Sequence, residues 1–225
     1  MTSRHRRVRL LFGAAALAAS LTTSLAACSS TSSSSATTVA GTSTDGIGTG
    51  TATVTVPADP AAALAEGVAA LDVGYHFTAT VTVNGATQVV ADGDRNGSNS
   101  RLAITSAGAT VDYVITADGS WAKPADGEWQ LLEVAPATSD PIDALRAPVA
   151  VEVSPSTGGT LHVKVTVTAV SLGIQAEGNV SVLVNLQGGV ITLISYDATV
   201  QGGTANVSTA ISAITDTTAI TAPAV

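Results

Sequence analysis

Few residues in this 225-residue chain are equipped for chemistry. Beyond the first 27 residues there are two histidines, His76 and His162. A histidine that activates a serine needs an acid to orient it and a nucleophile on a tight turn. The chain has no Gly-x-Ser-x-Gly elbow, and both histidines lie on the polar side of alternating runs. Neither has a second His or Cys at zinc-ligand spacing. Asp92-Gly-Asp94-Arg-Asn96-Gly97 matches positions 1, 3, 5 and 6 of a calcium loop. The twelfth position should be Glu and is Ala103, and the flanks read as strands, so a polar hairpin loop is expected. Trp121 and Trp129 stand about a hairpin apart. They are expected to pack across paired strands at the sheet edge, or to form a lip where their rings meet lipid headgroups. There is no P-loop, dinucleotide fingerprint or aromatic-basic surface. These residues predict a non-enzymatic protein with no metal site and no cofactor.

One residue has a defined chemical fate. Cys28, the only cysteine, follows Leu25-Ala26-Ala27 at the end of an uncharged run, Leu10 to Leu21, that is preceded by Arg4, Arg6, Arg7 and Arg9. The run is of signal length and short for a membrane span. The arrangement resembles the bacterial lipoprotein signal. It predicts removal of residues 1–27 and attachment of diacylglycerol, then further acyl chains such as palmitate, to Cys28. Two or three chains suffice for stable anchoring. The expected location is extracytoplasmic, anchored to the cell membrane by lipid at Cys28. With that thiol consumed, no disulfide remains and packing alone must hold the fold.

Charge changes character at the cleavage point. All seventeen acidic residues follow Cys28, against five basic ones, a net charge of −12. That balance excludes nucleic acid as a partner and a polybasic grip on anionic lipid. Residues 28–56 are Ser, Thr, Gly and Ala with one charge, Asp45. They read as a flexible tether that holds the domain on the order of 30 Å from the membrane.

Residues 57–225 read as one β-rich domain of normal single-core size. Asp59-Pro60 and Asp140-Pro141 each supply an N-cap and a preset first turn. Leu64, Val68 and Leu71 follow the first at helical spacing, ended by Gly74; Ile142 and Leu145 follow the second, stopped by Pro148. Elsewhere the period is two. Strands are expected over residues 75–83, 87–91, 101–106, 110–117, 120–123, 128–134, 149–153, 161–170, 180–186, 190–199 and 204–213. The last segment also fits a short helix, but its Thr and Ser content favours strand. Asn84-Gly85 reads as a type I′ hairpin turn. Short connections predict an antiparallel meander.

Leu161, Val163, Val165 and Val167 share one side of their strand, as do Val180, Val182, Val184 and Leu186. One sheet face is therefore dry. A sheet of this many strands is over about 40 Å wide, whereas the first helix is about 20 Å long. Two short helices do not cover such a face. The sheet must curl, or a second apolar surface, protein or lipid, must fill the gap.

The cleaved signal, the Ser/Thr tether, a short helix and the Tyr75-His76-Phe77 strand together resemble the LppX/LprA/LprF/LprG bacterial lipoprotein family. Tyr113-Val-Ile-Thr-Ala-Asp-Gly-Ser-Trp121 through Asp126-Gly127-Glu-Trp129 resembles that family's central hairpin. Asp140-Pro-Ile-Asp-Ala-Leu145 resembles its following helix, and Ile220-Thr-Ala-Pro223 its ending. The resemblance implies a LolA-like fold: an α+β, mostly β, strongly curved antiparallel sheet, a half-barrel with short helices in its concave face. It also implies lipid binding and lipid transport at the cell envelope. On this expectation Leu64, Val68, Phe77, Val81, Leu145, Val165 and Val182 contact the acyl chains of a lipid or glycolipid. The alternative expectation is a non-enzymatic envelope binding or structural module with a closed core and no lipid ligand.

Overall fold

The structure, a computed structural model, describes residues 57–133, 140–157, 159–200, 203–214 and 216–224. The expected signal peptide, Cys28 and the tether lie outside the described residues, as does Val134 at the end of one expected strand.

Asp59 caps helix α1 (Pro60–Ala69) as its sequence predicts. Its Oδ1 accepts from the N–H groups of Ala61 and Ala62 at 2.9 and 3.1 Å. A 3-10 turn, Ala70–Val73, carries the chain to Gly74, whose φ of +108° suits glycine. Strand β1 (Tyr75–Val83) turns at Asn84-Gly85 with φ of +50° and +80°, both positive as a type I′ turn requires. Then come β2 (Ala86–Asn96), β3 (Asn99–Ser106), β4 (Ala109–Thr116), β5 (Gly119–Pro124) and the two-residue β6 (Gln130–Leu131). Helix α2 (Pro141–Leu145) precedes β7 (Ala150–Thr157), β8 (Thr160–Thr168), β9 (Asn179–Gln187), β10 (Val190–Val200) and β11 (Gly203–Ala213).

All eleven strands form one antiparallel, unclosed and curved sheet in the order β6-β5-β4-β3-β2-β1-β11-β10-β9-β8-β7. The fold is a mostly-β half-barrel. It is two meanders, not the single one expected. The first and last strands pair along nine residues, from Tyr75↔Ala213 to Val83↔Ala205, and join the meanders at the centre. Strands β6 and β7 become the two edges, so the segment between them, carrying α2, spans from edge to edge.

Three local expectations change. Asp92 to Asn96 is the second half of β2 and not a loop; the turn falls at Gly97. Alternation then sends Asp92 and Asp94 to the convex face and Arg95 to the concave one. The strand expected over 161–170 stops at Thr168, and Val170 enters a 3-10 turn. The two tryptophans do not face each other. Trp121 is buried on the convex face opposite Leu131, and the ammonium of Lys123 lies 6.0 Å from the centre of the Trp129 ring.

The core fills the concave side of β8–β11. Leu64, Val68 and Leu71 from the first helical segment and Ile142, Ala144 and Leu145 from α2 pack on Val163, Val165, Val167, Val182, Val184, Ile191 and Ile194. Helix α1 seats closely because position 67 is glycine; a Cβ there would lie 2.9 Å from Leu186 Cδ2. On the convex face the C-terminal segment is strapped down. Arg101 pairs with Asp216 and Asp94, Asn99 donates to the Ile220 carbonyl, and Ile220 is buried. The Thr218 hydroxyl and N–H, together with Arg101, hold the Asp216 carboxyl down at about 2.

Gly93 sits on the concave face of β2, where a Cβ would come within 2.6 Å of Leu102 Cβ and 2.7 Å of its Cα. The obstructing atoms belong to the neighbouring strand, so relief requires β2 and β3 to separate. Gly93→Ala is expected to lower stability by about 1–3 kcal/mol. A drop in the urea midpoint, with an unchanged slope, checks this.

Candidate functional site

The concave face is dry in one half and unfinished in the other. On β8 the inward residues are buried; on β1, β3 and β4 the inward residues after Tyr75 are only half-buried. The two helices lie over the β7–β11 half, where α1 touches β7 and β10, and α2 touches β8. Beside them an apolar groove of about 320 Å³ remains along β1. This is at the small end of the range for ligand pockets, about 300–1,000 Å³.

Period-two alternation builds the groove floor. Phe77, Ala79 and Val81 of β1 alternate inward; Ile211, Thr209 and Val207 lie opposite on β11, and Ala91 lies beside Ala79 on β2. Leu102 and Ile104 of β3 and Ile115 of β4 form one wall, and Tyr196 of β10 and Ile142 of α2 the other. Alanines at 79 and 91 keep the floor low. From Tyr75 to Val81 the lane runs about 20 Å along the strand.

One end of the groove is polar and tightly organised. Tyr75 donates its hydroxyl to Asp140 Oδ2 at 2.6 Å, and Arg95 pairs with the same oxygen. Asp140 Oδ1 accepts from the N–H of Ile142 at 2.8 Å and so caps α2. One carboxylate therefore fixes α2 to both β1 and β2. The Tyr75 ring also leans on Phe77, with centroids 6.3 Å apart. Burial, and next the charge of Asp140, pushes the Tyr75 hydroxyl pKa well above its ordinary value of 10.0. Burial raises that of Tyr196 as well.

The seven residues expected to contact lipid separate into two groups. Phe77 and Val81 line the groove. Leu64, Val68, Leu145, Val165 and Val182 are at most 3% exposed and lie in the filled core under the helices. Leu102, Ile104, Ile115, Val207 and Ile211 also line the groove and were not singled out from sequence. Their signal was present for all but Ile115, which follows Val114, since the others alternate with polar or small neighbours; but the alternation does not say which stretch the helices leave bare.

The remaining candidate chemistry lies on the convex face. His76 Nδ1 is 3.0 Å from Asp94 and its Nε2 3.5 Å from Asp92. His162 Nδ1 is 2.6 Å from Asn185 Oδ1. Both rings are held by neighbouring strands; Ser156 Oγ accepts at 3.2 Å from the His162 backbone N–H, not from its ring. Among the described residues no group of three His, Cys, Asp or Glu converges as a metal site. A wider depression of about 620 Å³ adjoins β8–β10. It is larger than the groove, but its wall is mixed: Lys164, Glu177 and Asp197 alternate with Ile174, Val180 and Leu183, so it offers no continuous apolar lane like the one along β1. No described helix is long and apolar enough to cross a membrane.

No family model matches this chain, and a search of curated proteins finds no significant relative. The site's chemistry therefore defines a class only: a half-barrel with an apolar groove and a polar end.

The Tyr75–Asp140 contact makes a pH prediction. Tyr75 holds its proton more tightly folded than unfolded, so its contribution is complete below pH 10 and falls as pH rises beyond that. The urea midpoint should therefore decline above pH 10, and Tyr75→Phe should flatten much of that slope, Tyr196 accounting for the remainder. Asp140→Ala should cost more than Asp140→Asn at pH 7. It loses the cap, about 1 kcal/mol, and leaves two donors without their acceptor, about 1–3 kcal/mol.

Proposed function

We propose that this chain is a membrane-anchored cell-envelope lipoprotein that binds or carries lipid acyl chains in the groove along β1. The observation that carries the reading is the half-covered concave face. A lane of Phe77, Val81, Leu102, Ile104, Ile115 and Val207 lies beside a core that the protein's own helices finish. Hydrocarbon is the simplest occupant, because each CH₂ buried there contributes about 0.8 kcal/mol without any directional contact. The Cys28 signal places such a domain beside a membrane, its source of lipid, and the tether gives it reach. The reading also agrees with the family resemblance, and it treats the protein as a carrier and not an enzyme. A second reading, an envelope docking module without lipid, draws on the filled core beneath α1 and α2, where five of the seven expected contact residues lie.

Organic extraction of the purified full chain tests the choice, because it removes non-covalent lipid and leaves acyl chains attached at Cys28. Acyl species at near-stoichiometric yield are expected. Ala79→Phe, which fills the floor, should lower that yield several-fold. Leu145→Ala, in the core, should lower stability by about 2–5 kcal/mol and leave the yield of folded protein's lipid unchanged. A clean extract, together with no uptake of added fatty-acyl probe, would overturn the carrier reading in favour of the second.

A further inference from the structure

The groove does not end at Tyr75. A polar cleft of about 250 Å³ lies behind it, and Tyr75, Arg95, Asp140 and Ile142 line both spaces. An amphiphile whose chain lies along β1 would put its head there. The charges of that cleft are already committed to one another. Arg95 pairs with Asp140 and Asp143, and Arg146 pairs with Asp72 at 2.6 Å and with Asp143 at 3.4 Å. Two guanidinium groups face three carboxylates, a local charge of −1. Arg95 and Asp140 are shielded, with side-chain exposures of 27% and 14%, whereas Asp72 and Asp143 are open at 57% and 55%.

An anionic head would meet no free cation. It would have to compete with Asp72 and Asp143 for Arg146, the more exposed of the two guanidinium groups, while it lay against those same open carboxylates. An uncharged head bearing hydroxyl groups meets neither cost. Its hydroxyls can donate to the open oxygens of Asp72 and Asp143 and accept from the half-exposed Arg146. We infer that the cleft is a head-group subsite selecting acyl ligands with an uncharged, hydroxyl-bearing head over carboxylates and phosphates. This rests on the acyl-binding reading of the groove and adds the class of ligand to it. Asp143 is the specificity-determining residue, because it is exposed to the head and touches both arginines without capping the helix.

Calorimetric titration of the delipidated full chain at pH 7.5 tests the inference with three probes of one chain length: 1-monomyristoylglycerol, myristate and myristoyl lysophosphatidic acid. The glycerol ester is expected to bind at least about tenfold more tightly than either anion. Asp143→Asn removes one negative charge and keeps the side chain's shape. It should narrow that ratio several-fold by strengthening anion binding, while the glycerol ester changes little. Equal or tighter binding of the anions by the unaltered chain would overturn the inference and leave acyl binding standing. A ratio untouched by Asp143→Asn would overturn the placement of the head in this cleft. Failure of all three probes to bind would overturn the acyl-binding reading and the inference together.

Discussion

The pairing of β1 with β11 is the constraint on which the rest of this molecule depends. It unites residues more than a hundred positions apart along the chain and turns two meanders into one eleven-stranded sheet. It puts the first and last strands at the centre and so makes β6 and β7 the edges. The chain must then travel between opposite edges, and α2 is carried on that passage. It docks on β8 and under the first helical segment because Ile142, Ala144 and Leu145 have an apolar face to bury. The groove, the cap at Asp140 and the polar cleft all follow from where that passage lies.

A sheet this wide with only two short helices has a surface deficit, and the fold concentrates it. The β8–β10 side receives both helices and buries most of its inward residues. The β1–β4 half keeps inward residues half-exposed. Dispersed thinly, such exposure would be ordinary for a protein surface. Gathered into one lane with a polar end, it has the form of a site. The convex face meets its own needs differently, through Thr, Asp and Arg contacts between strands and a C-terminal strap anchored by Arg101 and Asn99.

Asp140 shows how economically the polar end is built. A single carboxylate accepts from a backbone N–H, a phenol and a guanidinium, so it serves helix, sheet and cleft at once. Sequence predicted only its first role, because the Asp-Pro pair is a local signal. Its other partners, Tyr75 and Arg95, lie 65 and 45 residues away, and no local pattern couples them.

Local chemistry made much of the architecture legible. Alternation located the strands, Asp59-Pro60 and Asp140-Pro141 located the helices, and Asn84-Gly85 located a turn, since each depends on residues within a few positions. The segment Asp92-Gly-Asp94-Arg-Asn96 misled, because turn-forming residues were recruited into β2 by pairing with β1 on one side and β3 on the other. The seven expected contact residues show the same division. Sequence marked all of them as inward and apolar. Only the packing of α1 and α2 made five of them core and left Phe77 and Val81 in the groove. Burial periodicity is written in each strand, but which apolar face stays open depends on where distant segments come to rest, and that is decided by the whole chain at once.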